Sequence, residues 1–245
     1  ILLSDGVANV GNTGPDAILN TIKEGVEAGI TMSAIGFGMG NYNDVLMEQL
    51  ANDGNGNYYY VDNIREARRV FVHNLTSTLQ VIGYDAKIQV DFNPEITDRY
   101  RLLGYENRAV ADEDFRNDTV DAGEVGAGHS VTALYELALQ EGDNLEGVIA
   151  TAYIRYEDAE TREVVELQRA ITVADVLANL DEAPANFKVQ VAVAEFAELL
   201  KGSFWAEDGT YGAVLALIES ADMGENEDVA ELIEMIRVAV RLSDQ

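Results

Sequence analysis

The side chains of this chain that can do chemistry are carboxylates, two histidines and little else. Asp5 is the first of them. It closes a short apolar run, Ile1 to Ser4, and Gly6 follows it. A carboxylate at a strand end is a hard oxygen ligand for a divalent cation. An Asp-Gly pair is equally a turn, and both readings stay open on these residues alone. Asp112, Asp114, Asp118 and Asp121 crowd a second stretch. Calcium loops alternate Asp or Asn, with Gly sixth and Glu twelfth. The spacing here departs from that, so the stretch reads as a solvated acidic loop. His73 lies in a helical run beside Arg68 and Arg69, with no Ser or Asp at motif spacing. His129 follows a Gly-Ala-Gly run and reads as a strand-entry residue. Gly36, Gly38 and Gly40 follow an apolar strand, but no Lys-Ser or Lys-Thr comes after them. They read as a tight loop and not as a phosphate cradle. Neither a nucleophile elbow nor a metal-hydrolase helix motif appears. A hydrolase working through clustered carboxylates therefore has no motif to support it.

The bulk numbers narrow the partners. The chain has 245 residues, 47% of them hydrophobic, and a formal net charge of −28. Such a field repels nucleic acid and anionic membrane surfaces. Lysine is scarce, at Lys23, Lys87, Lys188 and Lys201 only, a composition that fits a salty habitat. The absence of cysteine excludes disulfides, thiol catalysis and thiolate metal sites. No apolar run reaches the ~20 residues of a membrane-spanning helix.

Three segments position these residues. Over 1–80, apolar strands alternate with amphipathic helices. "NTGPDAILNTIKEGVEAG" has a capping Thr13, Pro15 for the first turn, a stripe of Ile18, Ile22 and Val26, and Gly29 at its end. "ITMSAIGFG" and "NYYYV" are strands. A helix opens at Asn43 or Asp44 and stops at Gly54. Another places Ile64, Ala67, Phe71 and Leu75 on one side. Such alternation predicts a parallel sheet covered by helices, with ligand sites at the carboxyl ends of its strands. Over 81–175 the period becomes two. Tyr84, Ala86, Ile88, Val90 and Phe92 share one face, while Asp85, Lys87, Gln89 and Asp91 share the other. This predicts an antiparallel, sandwich-like β domain. Over 176–245 the period returns to that of a helix. Phe187, Val191, Phe196 and Leu200 form one stripe, and Val229, Leu232, Ile236 and Val240 another. Trp205, beside Phe204, is expected to plug the helical core, with anchorage of a partner as the alternative. The expected fold is thus α/β, a partial doubly wound parallel sheet. An antiparallel β-sandwich-like domain and a C-terminal helical subdomain follow it.

"ILLSDG" followed by "GITMSAIGFGMGNYNDVLMEQLANDGNGNYYYVDN" resembles the second half of a von Willebrand factor type A domain. The resemblance implies that residues 1–80 are the C-terminal half of a doubly wound domain. Its metal ion-dependent adhesion site would hold Mg²⁺, Mn²⁺ or Ca²⁺ at the top of the sheet, with Asp5 as one ligand. The family's Asp-x-Ser-x-Ser loop and threonine have no match in this chain. The chain is therefore expected to be a fragment whose metal ligands lie upstream, to bind no metal tightly by itself, and to expose its first strand as a sticky edge. "RYRLLGYENRAV" and "DAGEVGAGHSVTALYEL", with the three-part order, resemble bacterial YfbK-type envelope proteins, often lipoproteins. That resemblance implies an extracytoplasmic, non-enzymatic, adhesion-type protein of the bacterial cell envelope. In the full-length protein a metal would grip a protein ligand offering an acidic residue. No nucleic acid is expected as a partner and no membrane insertion by this segment, while self-association through the first strand is possible. The alternative is a scaffold subunit of an envelope complex with a non-functional metal site.

Overall fold

Strands and helices alternate from the first residues onward: β1 (Leu2–Ser4), α1 (Pro15–Glu27), β2 (Ala34–Phe37), α2 (Asp44–Asp53), β3 (Tyr58–Val61) and α3 (Ile64–Arg68), which runs on as a π turn over Arg69–His73. The structure, a computed structural model, describes residues 1–5, 15–27, 30–38, 43–75, 80–104, 110–120, 122–142 and 145–243. Thr13, Gly29, Gly40 and Asp121, singled out in the sequence, lie outside the described residues. The three strands form one parallel sheet in the order β1-β2-β3. Leu2 stands beside Ala34 and Ala34 beside Tyr58; the next row is Leu3, Ile35 and Tyr59. Because side chains alternate across a strand, these two rows face opposite helices. Leu2, Ala34 and Tyr58 pack with Leu19, Met47, Leu50 and Ala51 of α1 and α2. Ile35 packs with Val61 and Val70, joined by Phe37, Tyr59, Ala67 and Phe71. β2 is therefore covered on both faces, which explains its uniformly apolar sequence.

Local chemistry sets the ends of these elements. The Asn43 side chain accepts from the Leu46 N–H at 3.1 Å and starts α2. The Asn63 side chain accepts from Arg65 and Glu66 and starts α3. After α2 the chain turns back against the main chain of Met32. A β-carbon on Gly56 would fall 2.2 Å from the Met32 carbonyl oxygen, so only glycine fits there. The expected stripe on the third helix holds only in part. Ile64 is exposed, and Val70 is the buried residue of this stretch. The π turn takes more residues per turn than an α-helix, which moves the buried face off the 3.6-residue spacing.

The remaining strands are β4 (Val81–Phe92), β5 (Thr97–Leu103), β6 (Gly123–Gly126), β7 (Leu134–Leu139), β8 (Val148–Asp158) and β9 (Val164–Thr172). They form a four-stranded sheet, β6-β4-β8-β9, and an antiparallel pair, β5-β7. The strict alternation expected along β4 is broken. Its pairing with β6 shifts register twice between Val81 and Ala86, and Asp85 lies in the left-handed region at φ 51°. Such a bulge turns the side chains beyond it to new directions. Lys87, expected on the wet face, is 3% exposed, and Ile88, expected inside, is 50% exposed.

Three helices end the chain: α4 (Ala185–Lys201), α5 (Tyr211–Glu219) and α6 (Glu227–Ser243). Ala192 and Phe196 of α4, Val214 and Ile218 of α5, and Ile236 of α6 form their shared core. Burying each large apolar side chain contributes about 1.5–3 kcal/mol. Of the stripe expected on α6, Val229, Leu232 and Ile236 pack in this core, with Ala239 in place of Val240. On α4, Phe196 of the expected stripe is buried in the core, while Phe187 and Leu200 are exposed and Ala192 joins the contact. Among the described residues, no helix is long and apolar enough to cross a membrane. The fold is thus mixed α/β, with parallel and antiparallel sheets and a C-terminal helical region. Its residues group in two compact units. One takes Ile1–Gln89, Val110–Ser130 and Tyr153–Gln168; the other takes Val90–Ala109, Val131–Ala152 and Arg169–Gln245.

Candidate functional site

Asp5 directly follows the carboxyl end of β1 and is exposed. β1 is the outer strand of the three, and Ile1 and Leu3 are each more than half exposed. Ends of parallel strands are where open α/β sheets place ligands. The tip of the neighbouring strand is tied down, since the Tyr60 hydroxyl donates to the Gly38 carbonyl at 2.8 Å. Among the described residues, no three His, Cys, Asp or Glu side chains converge to hold a metal. A divalent cation of the magnesium type needs near-octahedral oxygen ligation. The described residues alone do not fit one at Asp5.

The acidic loop is tied to its own unit through main-chain carbonyls and one carboxylate, Asp118, while Asp112 and Asp114 accept from the Gln89 and Asn117 amides. Lys87 reaches in from β4, and its Nζ donates to the Asn117 carbonyl at 2.6 Å and the Asp114 carbonyl at 3.5 Å. Phe115 beside it is buried. Asp118 accepts from Arg155 of β8, at 2.7 Å from Nη2 and 3.2 Å from Nε. Arg155 also reaches Glu166 of β9 at 3.3 Å. Arg116 grips the same Glu166 with two donors, at 2.7 and 3.2 Å. Such a two-point fork is the strongest arrangement of this pair. The Arg116 hydrogen bonds, then Arg155, hold the Glu166 carboxyl below the usual range. Asp85, in its bulge, accepts from the Ala122 N–H at 3.1 Å. A cavity of about 30 Å³ remains between Asp85, Lys87, Asp118, Arg155, Tyr156 and Glu157, room for a water molecule or so. Its charges are mixed, and this arrangement fastens a loop to a sheet. His129 meets the Tyr59 hydroxyl at 3.5 Å, at the outer limit of a hydrogen bond. His73 is exposed near the end of the π turn.

The second unit holds a cluster that motif reading missed. Arg101 of β5 pairs across the strand with Glu136 of β7, at 2.9 Å. Its Nη1 donates to Glu198 of α4 at 3.0 Å. Glu198 is 8% exposed and also accepts from Ser203 Oγ at 2.7 Å. The Ser203 hydrogen bond first, and Arg101 with it, holds the Glu198 carboxyl below the usual range against burial, which pushes it up. The helix end brings Ser203 back. Gly202 takes the left-handed conformation (φ 64°), the Gly202 N–H donates to Leu199, and the Ser203 N–H donates to Glu198. This is a Schellman motif, for which glycine is the favoured residue. Ser203 then accepts from the Trp205 N–H at 3.3 Å and starts a short 3₁₀ turn, Phe204–Ala206. The expectation that Trp205 plugs the helical core is overturned. Ala206 is the buried residue of the turn, while Phe204 is 71% and Trp205 65% exposed. The Arg101 guanidinium lies over the indole at 4.9 Å. Two aromatic residues in a Ser-Phe-Trp run after a helix-ending glycine were the signal present in the sequence. Their outward direction was not.

Comparison with known proteins gives three findings. A family model described as "Uncharacterized protein YfbK, C-terminal" matches residues 77–242. "Uncharacterized protein YfbK" of Escherichia coli (strain K12) is 42% identical over 139 residues, which cover 57% of this chain and 24% of that protein. The match therefore spans about a quarter of the curated relative's length. Among solved structures, the ArnB paralog VWA2 from Sulfolobus acidocaldarius is similar with a TM-score of 0.44 at 14% identity, over 95% of this chain and 57% of that one. A likeness that loose carries no argument about this chain.

Proposed function

The chain belongs to the YfbK C-terminal family, and from that premise we propose that it is part of a non-enzymatic binding protein of the bacterial cell envelope. In the complete protein, Asp5 contributes to a site for Mg²⁺, Mn²⁺ or Ca²⁺, and an acidic residue of a protein ligand completes the coordination. The observation that supports this reading is the station of Asp5, an exposed carboxylate at the carboxyl end of β1 in a parallel sheet. A cation there would supply local positive charge on a chain whose net charge is −28, and so let an acidic partner approach. Calorimetry of the complete protein with each of the three cations tests the reading. The expected outcome is binding that Asp5→Ala weakens. Equal affinity of wild type and variant removes Asp5 from the site.

A second reading is favoured by the cluster around Arg101. If the protein is a scaffold subunit, its contacts are made by the β and helical segments, and the metal site is idle. The exposed Phe204 and Trp205 support that reading. Partner binding that survives removal of divalent cations by EDTA would favour it over the first.

A further inference from the structure

The turn between α4 and α5 presents an aromatic pair that the helical core does not use. We infer that Phe204 and Trp205 form a docking site for a cationic amphipathic segment of another protein, which packs an apolar side chain on the indole and places lysine or arginine among the surrounding carboxylates.

Three observations carry this. The first is exposure: Phe204 and Trp205 are 71% and 65% exposed, and their rings meet each other edge to face at 5.5 Å. Large aromatic residues in the open, beside an arginine, have the composition of interface hot spots. The second is rigidity. The Schellman end of α4 and the Ser203 cap hold the 3₁₀ turn. Buried Ala206 anchors it. Arg101, itself held by Glu136 and Glu198, lies over the indole. A side chain already fixed loses little entropy when a partner arrives. The third is charge. Glu207 and Asp208, both exposed, follow the aromatic pair after Ala206. Glu136 and Glu198 are already paired with Arg101, so Glu207 and Asp208 are the carboxylates offered to a partner's cations, on a segment, residues 176–245, that carries ten more negative than positive charges. Anionic lipid and nucleic acid are repelled by such a rim. A cationic polypeptide is drawn to it. The site is independent of Asp5, so it stands or falls apart from the metal reading.

Trp205 is the single tryptophan of the chain, and its emission reports this site alone. The probe is a short leucine–lysine amphipathic helix with no aromatic residue, labelled for anisotropy, with a leucine-free lysine peptide as the control. The expected result is a blue shift of Trp205 emission with the amphipathic peptide only. Trp205→Ala should weaken that peptide at least about tenfold by anisotropy, the scale of a hot-spot truncation. The Glu207→Gln, Asp208→Asn pair should reduce the dependence of binding on salt. Circular dichroism checks that the variants are folded. If Trp205→Ala does not fold, Phe204→Ser, with the tryptophan still in place, decides the matter. The inference is overturned if either variant binds the amphipathic peptide as wild type does, or if the leucine-free peptide binds as tightly with the same shift. It is also overturned if phosphatidylcholine vesicles shift the emission while the peptide does not, since the pair would then serve a membrane surface.

Discussion

Two charge networks, one in each compact unit, use the same chemistry in different surroundings. In the first unit Arg116, Glu166, Arg155 and Asp118 alternate in sign along the outside of β8 and β9, and the two end members, Arg116 and Asp118, are each 59% exposed at the side chain. In the second unit Glu198 is 11% exposed at the side chain and meets Arg101, 23% exposed, with Ser203 completing its hydrogen bonds. Water and salt compete at the exposed ends of both, Glu136 of the second being 63% exposed at the side chain, but Glu198 is the best shielded member of either network. The first orients a loop already held by Lys87. The second joins strand to helix, so breaking it leaves a half-shielded arginine with one exposed partner.

Substitutions at three positions sharpen that contrast. The largest effect is expected at Glu198. Glu198→Ala leaves Arg101 with Glu136 alone and Ser203 without its acceptor, and should cost about 2–4 kcal/mol, as for a partly buried ion pair losing one member. Urea unfolding measures it. Because the folded-state carboxyl is held below its ordinary value, its stabilisation is complete above the ordinary glutamate range. It is lost as pH falls through that range and the lowered folded value. Glu198→Gln should therefore lower the neutral plateau of the stability profile and flatten its acid limb. An unchanged acid limb would show that other carboxylates govern acid unfolding. Lys87→Ala comes second, at about 1–3 kcal/mol, because two loop carbonyls lose their donor and the buried stem loses its packing. Hydrogen exchange should quicken across residues 112–120, and unchanged protection there would show that the arginines alone hold the loop. Glu166→Gln is the smallest. It should lower the melting temperature slightly at low salt and not at all in molar salt, since exposed pairs are screened. A salt-independent loss would place this network on a par with the one around Glu198.

Much of the α/β half was legible because its signals are local. The Asn43 cap, the stop at Gly54 and the apolar strands all act within a few residues. The strand-tip position of Asp5 follows from the same pattern. The reading failed where a single backbone irregularity moved a period. The bulge at Asp85 turned Lys87 inward and Ile88 outward. The π turn after Arg68 shifted the buried face of the third helix. Neither irregularity has a composition that marks it.

Sequence by itself determined most of the helices and strands, though not β5 or β6, together with the start of α2 at Asn43 and its stop at Gly54, and a composition that is overwhelmingly acidic. Those properties depend on side-chain type and on neighbours a few residues away. Only the tertiary structure decided which acids stand alone and which are neutralised, and which aromatic residues face solvent. Arg101 and Glu198 are 97 positions apart, Arg116 and Glu166 are 50 apart, and no periodicity links them. Their pairing is decided by strand register and by the packing of helix against strand, which arise only when the chain closes on itself.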